Sequence, residues 1–328
     1  MSTLAIALPL SLFGGYVVAS AVLFRFPNLL HLKKKSSINA KLIAHRGGAA
    51  EGYENTMTAF KWAREVGMEM LELDCQLTRD KQVVVSHDDD LRRVTGHEAT
   101  IQETDYQVQL KPLTSMISQH YCLCLSICPD CPDRRIPLLR EVFEEFQDFP
   151  INLDIKRNDD ELIEKVLELI KEYKREKITV VGNFNSKIGV KVHKKAPDIP
   201  IIFGMTGMLK LVLLTYTGLL PFVPLMESYL EVPTGTLIND LEFLEGRSVL
   251  KAILRVYDFL VIRPCLFRHL QRRGIKIYLW VLNSEREWNR AIKLKVDGIM
   301  TDYPSKLKNF CDVKGFSTSR DPLLERDH

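Results

Sequence analysis

Several short apolar runs in this chain end in side chains able to bind a cation, move protons or hold phosphate. In Met68-Glu69-Met70-Leu71-Glu72-Leu73-Asp74-Cys75, β alternation turns Glu72 and Asp74 to one face and Leu71, Leu73 and Cys75 to the other. Two carboxylates on one face repel, and they stay ionised together only with a cation beside them or a shared proton. A hard divalent cation held by oxygen is the economical solution. A solvated acidic edge strand is the alternative that this pair alone leaves open. The neighbouring runs favour a site. Leu42-Ile43-Ala44 ends in His45-Arg46-Gly47-Gly48, and Val83-Val84-Val85-Ser86 ends in His87-Asp88. Ile151-Asn152-Leu153-Asp154-Ile155-Lys156 sets Asn152, Asp154 and Lys156 on one face. Histidine titrates near neutral pH and suits paired acid and base work. A lone His at a strand end is as a rule structural, but two of them framing a carboxylate pair point to chemistry.

Groups placed in this way at successive strand ends predict an α/β fold, a (β/α)8 TIM-type barrel with its site at the C-terminal ends of the strands. The 328 residues, 46% of them hydrophobic, suffice for one such core. Asn55-Thr56 reads as the N-cap of a helix over Met57 to Val66. Helices are expected over Leu138–Phe146, Asp160–Lys174, Ser186–Lys195 and Leu266–Arg273, with a short one starting at Pro304. Strands are expected at Ile178–Val181, Ile199–Phe203, Phe259–Ile262, Lys276–Leu282 and Asp297–Asp302. Arg79-Asp80-Lys81 is a turn too tight for a helix, so strict β-α alternation fails between the strands carrying Asp74 and His87. The domain layout is an N-terminal anchor with a basic flank (1–35), a catalytic barrel (40–312) and a polar tail (313–328). The barrel carries an insertion over its mouth (91–136) and an apolar segment (205–226).

Taken in order, His45-Arg46-Gly47-Gly48, Glu54-Asn55-Thr56, Glu72-Leu73-Asp74, His87-Asp88, Asp154-Ile155-Lys156, Trp280-Val281-Leu282-Asn283 and Thr301-Asp302-Tyr303-Pro304 resemble the glycerophosphodiester phosphodiesterase family, from about Leu42 to Leu307. The resemblance implies one divalent cation, Mg²⁺ or Ca²⁺, on Glu72, Asp74 and Asp154, with His87 as a possible fourth ligand. It implies His45 and His87 as the acid-base pair, in an order the sequence does not assign. Arg46 and Lys156 would hold the phosphate, and Glu54, Tyr278, Trp280 and Asn283 are expected around the substrate. For the two aromatics an ordinary core position is the alternative. Asp154 departs from the family, most of which has Glu there; the shorter side chain would move the metal or leave a water in its shell.

Ser2 to Phe24 carries no charge and is long enough to span a bilayer. Arg25 and Lys33-Lys34-Lys35 follow it, so the positive-inside rule puts the barrel in the cytosol. A cleaved signal peptide is the rival, with Ala19-Ser20-Ala21 as its cleavage site, but the charged n-region is missing. Met205 to Met226 is apolar apart from Lys210. A crossing there would divide the barrel, so a segment lying in the membrane interface is expected, with Lys210 reaching the headgroups. These apolar segments are similar to the membrane-bound mammalian branch of the family, the lysophospholipases D. That similarity implies a bilayer partner, endoplasmic-reticulum or perinuclear membranes, and a lysophospholipid or glycerophosphodiester substrate. The net charge of +3 gives no case for nucleic acid. Cys122, Cys124, Cys128 and Cys131 fit a zinc site only loosely, and reduced or lipidated thiols are the blander reading. The rivals to a phosphodiesterase of this kind are a phosphoinositide-cleaving phospholipase C and an inactive membrane scaffold.

Overall fold

The computed structural model describes residues 3–95, 98–106, 135–234 and 256–315. Its strands are β1 (Leu42–Ala44), β2 (Met70–Leu77), β3 (Val83–Val85), β4 (Ile151–Ile155), β5 (Thr179–Gly182), β6 (Tyr229–Pro233), β7 (Lys276–Trp280) and β8 (Gly298–Thr301). Seven of them run parallel in the order β5-β4-β2-β1-β8-β7-β6. Between the ends of this path, Val181 bridges Ile201 and Ile202 bridges Tyr229, both in parallel register. The expected strand at Ile199–Phe203 is therefore a two-residue stave that nearly closes the barrel. β3 lies outside the ring and pairs antiparallel with the far end of β2, Cys75 opposite Val85 and Leu77 opposite Val83. This accounts for the broken alternation. On β2, β1 pairs with Met70 and Leu71 alone, which frees the upper edge of β2 for a hairpin arm. The hairpin turns through Lys81 at φ 64°.

Helices α1 (Thr3–Arg25), α2 (Met57–Val66), α3 (Leu139–Glu145), α4 (Asp160–Glu172), α5 (Ser186–Lys195) and α6 (Met205–Tyr216) follow the expected pattern. Thr56 caps α2 by accepting a hydrogen bond from the Ala59 amide. The reading of Phe259–Ile262 as a strand is corrected. Residues 256–261 form a helix, α7, with Phe259 exposed and Val261 buried. A four-residue apolar run does not by itself distinguish strand from helix. The stave it was meant to supply is β6, unanticipated because Glu231 and Pro233 interrupt its apolar pattern. Beyond it lie α8 (Pro264–Arg272), α9 (Glu285–Leu294) and α10 (Pro304–Val313). Most of the insertion, its four cysteines and the polar tail lie outside the described residues.

Alternation sorts the strands into an outer core and a lumen. Leu71, Leu73 and Cys75 pack outward against the helices, while Met70, Glu72 and Asp74 face inward. The floor of the lumen is apolar, built from Ile43, Met70, Val180, Tyr229, Tyr278 and Met300. Only above that layer do inward positions become polar.

Among the described residues α1 is the one helix long and apolar enough to cross a membrane. Helix α6 has 12 residues, about 18 Å, and does not span a hydrocarbon core of about 30 Å. It buries Met208, Leu211 and Leu214 on the barrel and exposes Leu209 and Leu213.

The closing stave leaves no room beside β5. A methyl group on Gly182 would lie 2.0 Å from the side chain of Ile202. Gly182→Ala should therefore destabilise the fold by about 1–3 kcal/mol through overpacking. Gly189→Ala, inside α5 with its nearest neighbour at 3.7 Å, should be neutral or stabilising by up to about 1 kcal/mol. Denaturant unfolding of the two variants in detergent measures the contrast.

Candidate active site

β2 and β4 run in register, with Glu72 opposite Asn152 and Asp74 opposite Asp154. Alternation makes all four inward-facing; Glu72, Asp74 and Asn152 are buried and Asp154 is half-buried. Each carboxylate is held by named donors. The Arg46 backbone amide donates to Glu72 Oε2 at 2.8 Å, and Asn55 Nδ2 donates to Asp74 Oδ2 at 2.9 Å. Asn183 Nδ2 donates to Asp154 Oδ1 at 2.6 Å. Lys156, at the end of β4, places Nζ 2.6 Å from Asp74 Oδ1 and 2.7 Å from Asp154 Oδ2. Arg46 follows β1 in a left-handed conformation at φ 51°. Its Nε is 3.5 Å from Asp74 Oδ2, yet it is buried without an aligned hydrogen bond. A buried donor of this kind is suited to an incoming anion.

The two histidines are oriented from Nδ1. His45 Nδ1 is 2.6 Å from Asp302 Oδ1, and Asn283 Nδ2 donates to the other Asp302 oxygen at 2.8 Å. His45 Nε2 points toward Glu72 Oε2 at 3.9 Å. His87 Nδ1 is 2.6 Å from Asp88 Oδ1, and Asp88 is paired with Arg93. Their electrostatics diverge. Burial works against charge on His45, but Asp302 and Glu72 outweigh it and the pKa rises. Burial dominates at His87, aided by Lys156 and Arg46 against Asp74, and the pKa falls.

The carboxylates feel the same crowding. Burial, followed by the charge of Asp74, pushes Glu72 up to about 7. Burial and then Glu72 push Glu231 up to about 8, although Asn152 donates to it at 2.7 Å. Burial also raises Asp154, against the pull of Lys156. Of these four carboxylates Asp74 is the one lowered, because Lys156 and Arg46 overcome its burial.

Glu72, Asp74 and Asp154, the expected ligands of one ion, line the same pocket. Among the described residues no group of three acidic, His or Cys side chains is spaced to grip a metal. The reason is local: the Lys156 ammonium lies between two of the carboxylates. The donor set still fits a hard cation, since it consists of carboxylate oxygens converging on one pocket.

A pocket of about 170 Å³ brings together His45, Arg46, Glu72, Asp74, His87, Asp154 and Lys156. Its apolar wall includes Phe184, Met205, Met208, Tyr257 and Trp280. Three residues expected around the substrate lie elsewhere. Tyr278 sits one layer lower than Trp280, buried against Tyr229 with ring centroids 5.3 Å apart. Asn283 is engaged with Asp302. Glu54 stands at the rim, bound to Arg93 Nη2 at 2.6 Å and Arg46 Nη1 at 3.3 Å. Conversely, Glu231, Asn183 and the orienting roles of Asp88 and Asp302 are not evident from the sequence. For Asp302 a signal existed in Thr301-Asp302, an acidic residue at a strand end like the others. Glu231 gave none, because its strand was not recognised.

The model of the glycerophosphoryl diester phosphodiesterase family matches residues 45–306. A human protein named lysophospholipase D GDPD1 is 47% identical over 94% of this chain and 98% of its own length. Human lysophospholipase D GDPD3 is 33% identical over 92% and 94%. Among solved structures, an Oleispira antarctica phosphodiesterase in complex with the product sn-glycerol-3-phosphate superposes with a TM-score of 0.59 at 20% identity, covering 83% of this chain and 96% of that one. A glycerophosphodiester phosphodiesterase from Agrobacterium tumefaciens gives 0.60 at 17% identity, covering 82% and 99%. A buried carboxylate cluster flanked by two carboxylate-oriented histidines at the mouth of a parallel barrel thus accompanies extensive sequence likeness, and the chain belongs to the glycerophosphoryl diester phosphodiesterase family.

Proposed function

We propose that the protein is a lysophospholipase D: it cleaves the headgroup ester of lysophospholipids and releases lysophosphatidic acid and the headgroup alcohol. The observation carrying this reading is the make-up of the pocket. Phosphate-binding and acid-base groups fill one side, and the apolar wall of Phe184, Met205, Met208 and Trp280 on the other leads onto α6, whose outer face exposes Leu209 and Leu213. A single-chain lipid can bring its phosphate to Arg46 and Lys156 while its acyl chain stays on apolar surface. Water-soluble glycerophosphodiesters meet the same polar groups without the benefit of that wall. The α1 helix is read as the membrane anchor. Arg25 and Lys33-Lys34-Lys35 after it favour a cytosolic barrel, and α6 rests against the same bilayer face.

In the proposed reaction the free hydroxyl beside the phosphate attacks phosphorus. Its proton passes to His87 Nε2, which the low pKa keeps neutral and receptive. The phosphorus–oxygen bond to the headgroup breaks, and His45 Nε2, kept protonated by Asp302 and Glu72, gives its proton to the leaving alcohol. Water then opens the cyclic phosphate with the two roles exchanged. Arg46 and Lys156 offset the charge that builds on the phosphoryl oxygens. A divalent cation, Mg²⁺ or Ca²⁺, held by Glu72, Asp74 and Asp154 would supply Lewis-acid stabilisation of that charge.

The decisive comparison is a 1-acyl lysophospholipid against its 2-deoxy analogue. Turnover of the analogue should be absent, and equal turnover of the two would refute internal attack. Chelation should abolish activity, with recovery on adding Mg²⁺ or Ca²⁺; a chelated enzyme at full rate would remove the cation from the reading. The pH profile tests the histidine assignment. Activity needs His87 neutral and His45 protonated, so the acid limb should lie below the ordinary histidine pKa and the alkaline limb above it. Asp302→Asn removes the charge that raises His45. The alkaline limb should then move to lower pH by about one unit or more, while the acid limb stays where it is.

A further inference from the structure

A groove of about 1120 Å³ runs between α1 and the barrel, separate from the catalytic pocket. Its lining is both apolar and basic. Phe13, Tyr16, Val17 and Phe24 come from one face of α1 at spacings of three, four and seven residues, and Phe259 of α7 opposes them. The groove is also lined by Arg25, Arg263, Arg268 and Arg272. Among the described residues none of these guanidinium groups is paired with a carboxylate, whereas Arg93 and Arg290, elsewhere on the barrel, each are. Arg263 instead lies over the Phe259 ring at 3.5 Å, and Arg272 donates to the Arg25 carbonyl at 2.7 Å. Convergent cations with no acidic partner among the described residues, at the end of an apolar helix, match a ligand that is anionic at one end and hydrocarbon at the other.

The helix determines which end is which. Leu8, Leu10 and Leu12 of α1 are exposed, so the apolar side of the groove continues toward the hydrocarbon region and the arginines stand at headgroup depth. Phe13 and Phe24 are separated by roughly 16 Å along the helix axis, a length over which an extended acyl chain can lie. α1 is secured to the barrel across this region: Tyr16 Oη donates to the Thr217 carbonyl, Ser20 Oγ donates to the Gly218 carbonyl at 2.7 Å, and the Phe24 carbonyl meets His269 Nδ1 at 2.9 Å. The groove is therefore a built feature of the docked anchor.

We propose that this groove binds one anionic diacyl phospholipid of the bilayer, its phosphate on the arginines and an acyl chain along α1, at a site distinct from the catalytic pocket. The inference rests on the reading of α1 as a membrane anchor. α6 and α7 line both cavities, through Thr215, Tyr216 and Phe259 at the groove and Met205, Met208 and Tyr257 at the catalytic pocket.

The probe is diacyl phosphatidic acid, a phosphomonoester with no diester bond to cleave. The full chain in detergent micelles doped with this lipid or with diacyl phosphatidylcholine is read by native mass spectrometry. Retention of phosphatidic acid should exceed that of phosphatidylcholine by about tenfold or more, and Arg263→Gln/Arg268→Gln should abolish the difference. The variant should still turn over water-soluble glycerophosphocholine at the wild-type rate, and saturating sn-glycerol 3-phosphate should leave the bound lipid in place. Arg268→Gln alone, on an exposed side chain, serves if the double variant does not fold. Equal retention of the two lipids, or an undiminished adduct in the variant, would overturn the proposal. Flotation with neutral liposomes reads the anchor independently, so a chain that floats yet keeps no phosphatidic acid refutes the groove and leaves the anchor standing.

Discussion

Lys156 Nζ, 2.6 Å from Asp74 and 2.7 Å from Asp154, holds together two carboxylates that their strands force face to face. β2 and β4 are in register, and parallel pairing with alternation allows no other arrangement of these side chains. Burying such a pair is costly unless a cation stands between them. The ammonium satisfies Asp74, which is lowered, but leaves Glu72 and Asp154 raised and Glu231 higher still. Burial is the first cause of these upward shifts, and the like charges crowded at the mouth of the barrel add to it for Glu72 and Glu231. The side-chain amides of Asn55, Asn152 and Asn183 supply further donors to Asp74, Glu231 and Asp154.

The same imbalance separates the two histidines. Both are exposed to nearby acids, yet His45 sits between Asp302 and Glu72 while His87 stands on the side of Lys156 and Arg46. One imidazole is therefore biased toward keeping its proton and the other toward accepting one. An acid-base pair needs this difference, and it arises from position within a single field of charge.

Around this polar mouth the rest of the molecule is graded in polarity. Below it the lumen is closed by Tyr229, Tyr278 and the aliphatic floor, which keeps water from reaching the carboxylates from beneath. To one side the pocket wall turns apolar and merges with α6, α7 and α1, whose exposed faces carry leucine and phenylalanine. The chain thus sets ionic chemistry and lipid-compatible surface side by side on one rim.

The sequence by itself determined whatever depends on near neighbours in the chain. Alternation put Glu72 and Asp74 on one face and Asp154 with Lys156 on another; Thr56 and Gly67 bounded α2; an uncharged stretch defined α1. These follow from strand and helix periods and from capping, which are local properties. Only the tertiary structure decided what lies across the lumen or over it. Closure of the ring brought Glu231 beside Glu72 and Asn152, placed Asp302 behind His45, and set Tyr278 a layer beneath the pocket while Trp280 entered it. The hairpin that leaves β3 outside the ring carries His87 back over Asp74. Residues 256–261 are helical, and β6 holds the stave they were expected to fill. Such relations join segments tens to hundreds of residues apart, and no local period encodes them; they exist once the staves close and each inward side chain takes its depth in the barrel.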